Sequence, residues 1–289
     1  MKIVLIGCLT VACAVSVMST LTAEEQLKES VMEGFPPTKA SQATMSNYLE
    51  TPYSQWAFAN AGAPLNVVMI PRQGTIFELT GPTMPNLGNF TVSDAAGKTM
   101  GFEDLFAQNY ADGLVVVQGE QLLFEKYFRH LDAHGQHIWF SMSKSLASTA
   151  LGLLVEAEKI DLSASPTKYI PELKGSGFDR VTIQHVLDMA TSIDFNENYT
   201  DINSDFLVHY APALNLVWLK GAADIKPGET QIYGVHDFLT HFIKPDLKRQ
   251  PGDNFDYNSS NADVLGWLIS RISGQPFQDY IQQNIWSKI

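Results

Sequence analysis

One lysine stands alone in a long uncharged segment near the middle of the chain. From Ile138 to Val155 the sequence runs for 18 residues in which Lys144 is the only charged side chain. Apolar residues recur at helical spacing through this region, so residues 141–158 predict a helix. That helix is apolar enough to lie at the buried centre of a domain, and the rest of the fold must pack around it.

Ser141 precedes Lys144 by three positions, which places both side chains on one face of the predicted helix. Apolar surroundings disfavour the ammonium form of a lysine and favour the neutral amine, which accepts protons. The N-terminal end of a helix also presents free N–H groups that favour developing negative charge. A hydroxyl, an adjacent base and an electropositive helix end are together what acyl transfer requires.

The Ser-x-x-Lys pattern is weak by itself, and the chain contains a second copy at Ser165 and Lys168. There, Pro166 suits the first position of a helix with Ser165 as its cap, and charged residues surround Lys168. We interpret the second copy as structural. For Ser141 and Lys144 the alternative is a capping serine with a lysine that reaches into solvent.

Tyr257 is the candidate for a third group that relays a proton. It follows a turn at 251–252 and precedes a helix predicted to begin near Asn261. Functional groups are often presented on loops that ordered elements hold on both sides. A loop tyrosine is also commonly a packing or surface residue, so its position alone leaves both interpretations open.

The remaining sequence divides into two regions with different patterns. Residues 24–111 are rich in Pro, Gly, Asn and Thr and predict an irregular arm over a neighbouring core. Residues 112–289 predict one α+β domain, in which two β-rich runs form a hairpin around Gly119. The runs are 114–117 and 122–128, and further helices are predicted at 182–189 and 261–272.

The first 23 residues have the composition of a secretory signal peptide. Lys2 supplies a positive start, residues 3–18 are almost wholly apolar, and small or polar residues lead to Ala23. We expect cleavage near Ala23 and a periplasmic or secreted protein with no stable membrane anchor afterwards. A membrane-spanning anchor stays an alternative, although the run is somewhat short for a bilayer. Lipid attachment at Cys8 or Cys13 also stays open.

The charge balance argues against one class of partner. The chain has 31 Asp and Glu against 19 Lys and Arg, a formal net charge of −12, and no basic stripe or arginine cluster. Because such a surface repels phosphate backbones, we expect no nucleic-acid binding. His130, Asp132, His134 and His137 could be proposed as metal ligands but lack a recognised spacing, so we predict no metal and no cofactor.

Three motifs occur in a recognisable order: residues 140–145 read Phe-Ser-Met-Ser-Lys-Ser, residues 182–189 read Thr-Ile-Gln-His-Val-Leu-Asp-Met, and residues 255–259 read Phe-Asp-Tyr-Asn-Ser. Together they resemble the penicillin-recognising serine hydrolases, which include class C β-lactamases, D-alanyl-D-alanine carboxypeptidases and related esterases. Ser259 stands where the Tyr-x-Asn motif of that group has asparagine. In having serine at this position, the sequence is similar to the 6-aminohexanoate-dimer hydrolase and carboxylesterase branch. Segments 34–37, 54–58 and 192–199 also resemble that branch.

The resemblance implies a β-lactamase/transpeptidase-like α+β fold, with an antiparallel sheet flanked by helices. It implies a serine hydrolase that cleaves small-molecule amides or esters through an acyl-enzyme, with Ser141 as nucleophile, Lys144 as the base and Tyr257 as the proton shuttle. Tyr199 and Ser259 would contact the substrate. The backbone N–H of Ser141 would be one oxyanion donor.

The third motif of that group, Lys-Thr-Gly or His-x-Gly, has no match after Tyr257. We therefore expect this sequence to lack the C-terminal strands of the sheet and the second oxyanion donor, either because the gene continues beyond Ile289 or because the product is a defective fragment. Two alternatives stay open: a catalytically inactive binding protein of the same fold, and a D-alanyl-D-alanine carboxypeptidase or β-lactamase.

Overall fold

The computed structural model describes residues 31–63, 67–71, 73–81, 83–214, 216, 232 and 234–289. They fall into two compact units, one formed by residues up to 67 with 76–138 and the other by 68–75 with 139–289. The predicted signal peptide at 1–23 lies outside the described residues, and the predicted boundary at 111/112 stays a prediction. Within the described ranges no helix is both long and apolar enough to cross a membrane.

The first unit contains the predicted hairpin. Its described residues form these elements in chain order: α1 (Tyr53–Ala57), a 3-10 helix (Pro85–Asn89), β1 (Thr91–Ser93), β2 (Thr99–Gly101), α2 (Phe102–Gln108), β3 (Gly113–Gln118) and β4 (Gln121–Tyr127).

Strand β3 pairs antiparallel with β4, and β1 pairs antiparallel with β2. The hairpin is thereby confirmed, and Gly119 in its turn has a φ of 59°, a left-handed conformation that glycine adopts without strain. Five phenylalanine rings pack together beside it, with neighbouring centroids 4.5 to 6.1 Å apart. They belong to Phe90, Phe102, Phe106, Phe124 and Phe128.

A largely buried carboxylate joins two basic side chains in the same unit. Asp112 accepts a hydrogen bond from Arg129 Nε over 3.0 Å, and its second oxygen lies 2.9 Å from His137 Nε2. The other ring nitrogen of His137 lies 2.9 Å from the carbonyl oxygen of Ile138. With an acceptor beside each nitrogen the imidazolium is favoured, and the hydrogen bond to Asp112 is the largest cause that raises the pKa of His137.

We expect this contact to make stability depend on pH. The pKa of His137 in the folded protein lies above the ordinary value of 6.5. The contact with Asp112 therefore stabilises the fold fully at pH values below 6.5, and this stabilisation is lost as the pH rises through the raised pKa of the folded protein. His137→Gln should therefore lower the free energy of unfolding more at pH 5.5 than at pH 8.5, as measured by urea denaturation. His134→Gln, at an exposed histidine of the same segment, is the control. An equal loss at both pH values would contradict the expectation.

The second unit is mainly helical. Its described residues form these elements in chain order: a 3-10 turn (Phe140–Ser143), α3 (Lys144–Glu156), two 3-10 turns (Pro166–Lys168 and Pro171–Leu173), α4 (Ile183–Leu187), β5 (Ile193–Asp194), a π-helical turn (Phe206–Tyr210), α5 (Ala211–Ala213), α6 (Val235–Asp237), a second π-helical turn (Phe238–Phe242), β6 (Lys244–Pro245), α7 (Ser259–Ser273), α8 (Phe277–Asn284) and a 3-10 turn (Trp286–Lys288).

The core of this unit lies between α3, α7 and α8, which pack against one another, while α4 packs on α7. Leu151 of α3, Leu268 of α7 and Ile281 of α8 are fully or almost fully removed from solvent. Burying one such side chain stabilises the fold by about 1.5–3 kcal/mol. The apolar segment that begins at Ile138 therefore contributes the central helix, as its sequence predicts.

The three predicted helices are confirmed, with a difference at the start of the first. Ser141 lies in the 3-10 turn that precedes α3, because Phe140 has a left-handed φ of 43° and the hydroxyl of Ser143 donates to the Phe140 carbonyl. At α7 the boundary follows from capping: Asn258 Oδ1 accepts from the N–H of Ser260 over 3.1 Å.

Candidate active site

Ser141 and Lys144 form a hydrogen-bonded pair at the N-terminal end of α3. Lys144 Nζ lies 2.9 Å from Ser141 Oγ. The first hydrogen-bonded amide of the preceding 3-10 turn is that of Met142, which donates to the carbonyl of Trp139 over 3.0 Å. The N–H of Ser141 comes before it and so has no acceptor within the turn. That N–H can donate to the substrate oxygen that becomes an oxyanion when Ser141 Oγ attacks a carbonyl carbon.

The second Ser-x-x-Lys copy has a different arrangement. Ser165 Oγ accepts from the N–H of Thr167 over 3.2 Å and caps the 3-10 turn that begins at Pro166. Lys168 Nζ lies 3.7 Å from Asp161, on the surface. The structural interpretation of this copy is confirmed, and it provides an internal control for the first.

Tyr257 lies beside the pair. Its ring centroid is 5.0 Å from Lys144 Nζ, and 38% of the residue is exposed. The preceding residue, Asp256, donates its N–H to the carbonyl of Met189 over 2.8 Å and accepts from Arg249 over 2.8 Å. The loop that carries Tyr257 is therefore fixed immediately before the tyrosine, and the Asn258 cap fixes it immediately after.

Glu197 joins the two predicted substrate-contacting residues. Its carboxylate accepts from the hydroxyl of Tyr199, from the N–H of Ser259 and, over 2.6 Å, from Ser259 Oγ. Burial, followed by the Glu197 contact, raises the pKa of Tyr199 well above its usual value. Ser259 is buried, and its hydroxyl donates to Glu197. The contact between Ser259 and substrate stays a prediction. Glu197 lies in segment 192–199 of the sequence, for which only Tyr199 was predicted to have a role.

A second acidic group, also missed by the sequence analysis, lies on α7. The hydroxyl of Tyr210 donates to Asp263 Oδ2 over 2.6 Å. Burial raises the pKa of Asp263 to about 6, while the Tyr210 hydrogen bond and the charge of Lys144 act to lower it. A signal was present: Asp263 is the only charged residue from 258 to 270. A single charged residue in a long uncharged segment, the feature that distinguishes Lys144, also distinguishes Asp263.

The geometry thus places Ser141, Lys144 and Tyr257 together, with Glu197 linking Tyr199 to Ser259 beside them. The sequence profile of the Beta-lactamase family matches residues 102–289, well over half of the chain. The chain belongs to the beta-lactamase family.

Within this family two relatives are informative. A 6-aminohexanoate-dimer hydrolase from Paenarthrobacter ureafaciens is 30% identical over 256 residues, which are 88% of this chain and 60% of that protein. A solved structure from Bacillus anthracis, described as "Putative 6-aminohexanoate-dimer hydrolase", aligns with a TM-score of 0.74 and 25% identity over 88% of this chain and 63% of that one. The chain spans about three-fifths of the length of these relatives.

Membership of the beta-lactamase family confirms the resemblance and the α+β, β-lactamase/transpeptidase-like fold predicted from the motifs. Among the described residues no group of three or more His, Cys, Asp and Glu side chains is arranged to hold a metal ion. Within the segment proposed as an alternative metal site, His137 pairs with Asp112.

Proposed function

We propose that this protein is a serine hydrolase that cleaves small amides or esters through an acyl-enzyme on Ser141. The observation that carries the proposal is the 2.9 Å contact between Lys144 Nζ and Ser141 Oγ at the N-terminal end of α3, with the Tyr257 ring beside the same nitrogen. A serine hydroxyl next to an amine that can take its proton is the arrangement of an activated nucleophile.

In the proposed reaction the neutral amine of Lys144 takes the proton of Ser141 as Oγ attacks the substrate carbonyl carbon. The resulting oxyanion accepts a hydrogen bond from the N–H of Ser141. Tyr257 passes the proton from Lys144 to the leaving nitrogen or oxygen, the bond to the leaving group breaks, and the acyl group stays on Oγ. Water then attacks the acyl-enzyme with the same groups acting in reverse order.

The proposed substrates are short linear amides or esters that are neutral or carry an ammonium group. The net charge of −12 disfavours polyanions. The names of the two relatives specify a dimer of 6-aminohexanoate, which is a linear amide. The composition of residues 1–23 supports a proposed periplasmic or secreted location.

A fluorophosphonate probe tests the function, because it reacts with an activated serine and needs no knowledge of the substrate. After labelling, fragmentation of the modified peptide should locate the adduct on Ser141. The Ser145→Ala variant is a matched control, since Ser145 is an exposed serine in the first turn of α3, and it should still carry the adduct on Ser141. An adduct on Ser143, Ser145 or a serine outside this turn would contradict the proposal.

A further inference from the structure

The guanidinium of Arg249 holds both ends of the loop that leads to Tyr257. Its Nε donates to Asp246 Oδ2 over 2.7 Å, and its Nη1 donates to Asp256 Oδ2 over 2.8 Å. Its Nη2 donates to the carbonyl oxygen of Ile193 over 3.1 Å, so the same group also reaches β5. Each of the three guanidinium nitrogens therefore has an acceptor, and the acceptors come from three different places in the chain.

The segment before β5 supports the same loop through backbone hydrogen bonds. The N–H of Asp256 donates to the carbonyl of Met189 over 2.8 Å. At the other end of the loop, the N–H of Asp246 donates to the carbonyl of Ser192 over 3.0 Å. Met189 and Ser192 have φ values of 50° and 51°, in the left-handed region that residues with a side chain disfavour. Such backbone persists only where its surroundings determine it, and it is concentrated at functional sites.

Tyr257 depends on this loop for its position. The residue is 38% exposed, and its ring centroid lies 5.0 Å from Lys144 Nζ. A single backbone hydrogen bond at Asp256 leaves the chain free to turn about that bond. The contact between the Asp256 side chain and Arg249 supplies a second fixed point, and two points set the direction in which the chain continues to Tyr257.

We propose that Arg249 is a positioning residue for Tyr257: by joining Asp256 to β5 it keeps the tyrosine beside Lys144 for proton transfer to the leaving group. This rests on the proposed role of Tyr257 as proton shuttle. A guanidinium is planar, stays charged and offers donors in fixed directions. A lysine, with one nitrogen, could not hold the three acceptors in the same arrangement.

The test compares two leaving groups on one acyl group. The p-nitroanilide and the p-nitrophenyl ester of 6-aminohexanoic acid would give the same acyl-enzyme, and kcat/KM for each reports the steps that lead to it. The anilide nitrogen must gain a proton before p-nitroaniline leaves, whereas p-nitrophenolate leaves without one. Misplacing the proton shuttle should therefore slow cleavage of the anilide more than cleavage of the ester, while a loss of folded protein lowers both equally.

In Arg249→Ala the ratio of kcat/KM for the ester to kcat/KM for the anilide should rise about 10²-fold, the cost of misplacing a catalytic group by about 1 Å. The matched control is Arg271→Ala, the same chemical change at the other end of α7, where Arg271 pairs with Glu172 over 2.7 Å. Its ratio should equal that of the wild type. A wild-type ratio in an active Arg249→Ala variant overturns the inference and leaves the proposed function standing.

Two further variants show whether Arg249 acts through Asp256 and Tyr257. Asp256→Ala removes only the contact next to the tyrosine and should raise the ratio in the same way, so it serves if Arg249→Ala does not fold. Tyr257→Phe should raise the ratio by about 10²- to 10⁴-fold. Adding Arg249→Ala to Tyr257→Phe should bring no further rise, because the shuttle is already lost. A further rise in this double variant would mean that Arg249 acts on another group, against the inference.

A measurement on Tyr257 itself needs no reaction. In protein carrying 3-fluorotyrosine, the ¹⁹F signal of residue 257 is assigned by its absence in Tyr257→Phe. Its chemical shift should change in Arg249→Ala and stay at the wild-type value in Arg271→Ala. If it changes so in protein that neither cleaves the two substrates nor reacts with the fluorophosphonate, the proposed function fails and the link between Arg249 and Tyr257 holds. A wild-type shift in Arg249→Ala overturns that link.

Discussion

Replacing Lys144 with methionine is expected to slow fluorophosphonate labelling of Ser141 by about 10²- to 10⁴-fold, the usual contribution of a positioned base. Methionine keeps an unbranched apolar stem on α3 but cannot accept the proton of Ser141 Oγ, which lies 2.9 Å from Nζ in the wild type. The rate should be followed at several probe concentrations, with Ser141→Ala as the baseline because it lacks the oxygen that is labelled.

The second Ser-x-x-Lys copy provides the control for this experiment. Lys168→Met removes a lysine at the same spacing from a serine, but Lys168 faces Asp161 on the surface and Ser165 caps a turn. Labelling should proceed at the wild-type rate. If Lys144→Met also reacted at that rate, Lys144 would not be the base, and the acyl-enzyme mechanism would need another proton acceptor.

The second large effect is on stability. Leu151→Ala on α3 should lower the free energy of unfolding by about 2–5 kcal/mol, because it removes buried methyl groups and leaves a cavity in the core where α3 packs on α7. Leu247→Ala is the same chemical change at a residue that is 77% exposed, and it should alter stability by less than about 0.5 kcal/mol.

Urea denaturation of both variants against the wild type measures these differences. Two-state analysis is appropriate only if the slope of free energy against urea is unchanged by the substitution. Equal losses at residues 151 and 247 would mean that α3 is not the central buried helix. Because the pair of Ser141 and Lys144 is held at the N-terminal end of α3, loss of this packing should also reduce labelling of Ser141.

Short-range features of this protein follow from its sequence because they depend on spacing along one element. The repeat of the α-helix puts apolar residues of α3 on one buried face, and a glycine at 119 closes the β3–β4 hairpin. The same local reasoning distinguishes the two Ser-x-x-Lys copies, since the proline at 166 favours a capped turn. Each of these predictions involves residues only a few positions apart.

The surroundings of the pair were decided by tertiary structure. Glu197 reaches Ser259 across 62 positions of sequence, and Tyr210 reaches Asp263 across 53. No periodicity relates such residues; they meet because the chain folds so that residues 197 and 210 lie against the first turns of α7. The sequence by itself therefore determined the candidate nucleophile, its base and the helix that holds them. Only the tertiary structure decided that Glu197 contacts Ser259 and that Tyr210 contacts Asp263, because these contacts depend on the packing of apolar faces from distant segments.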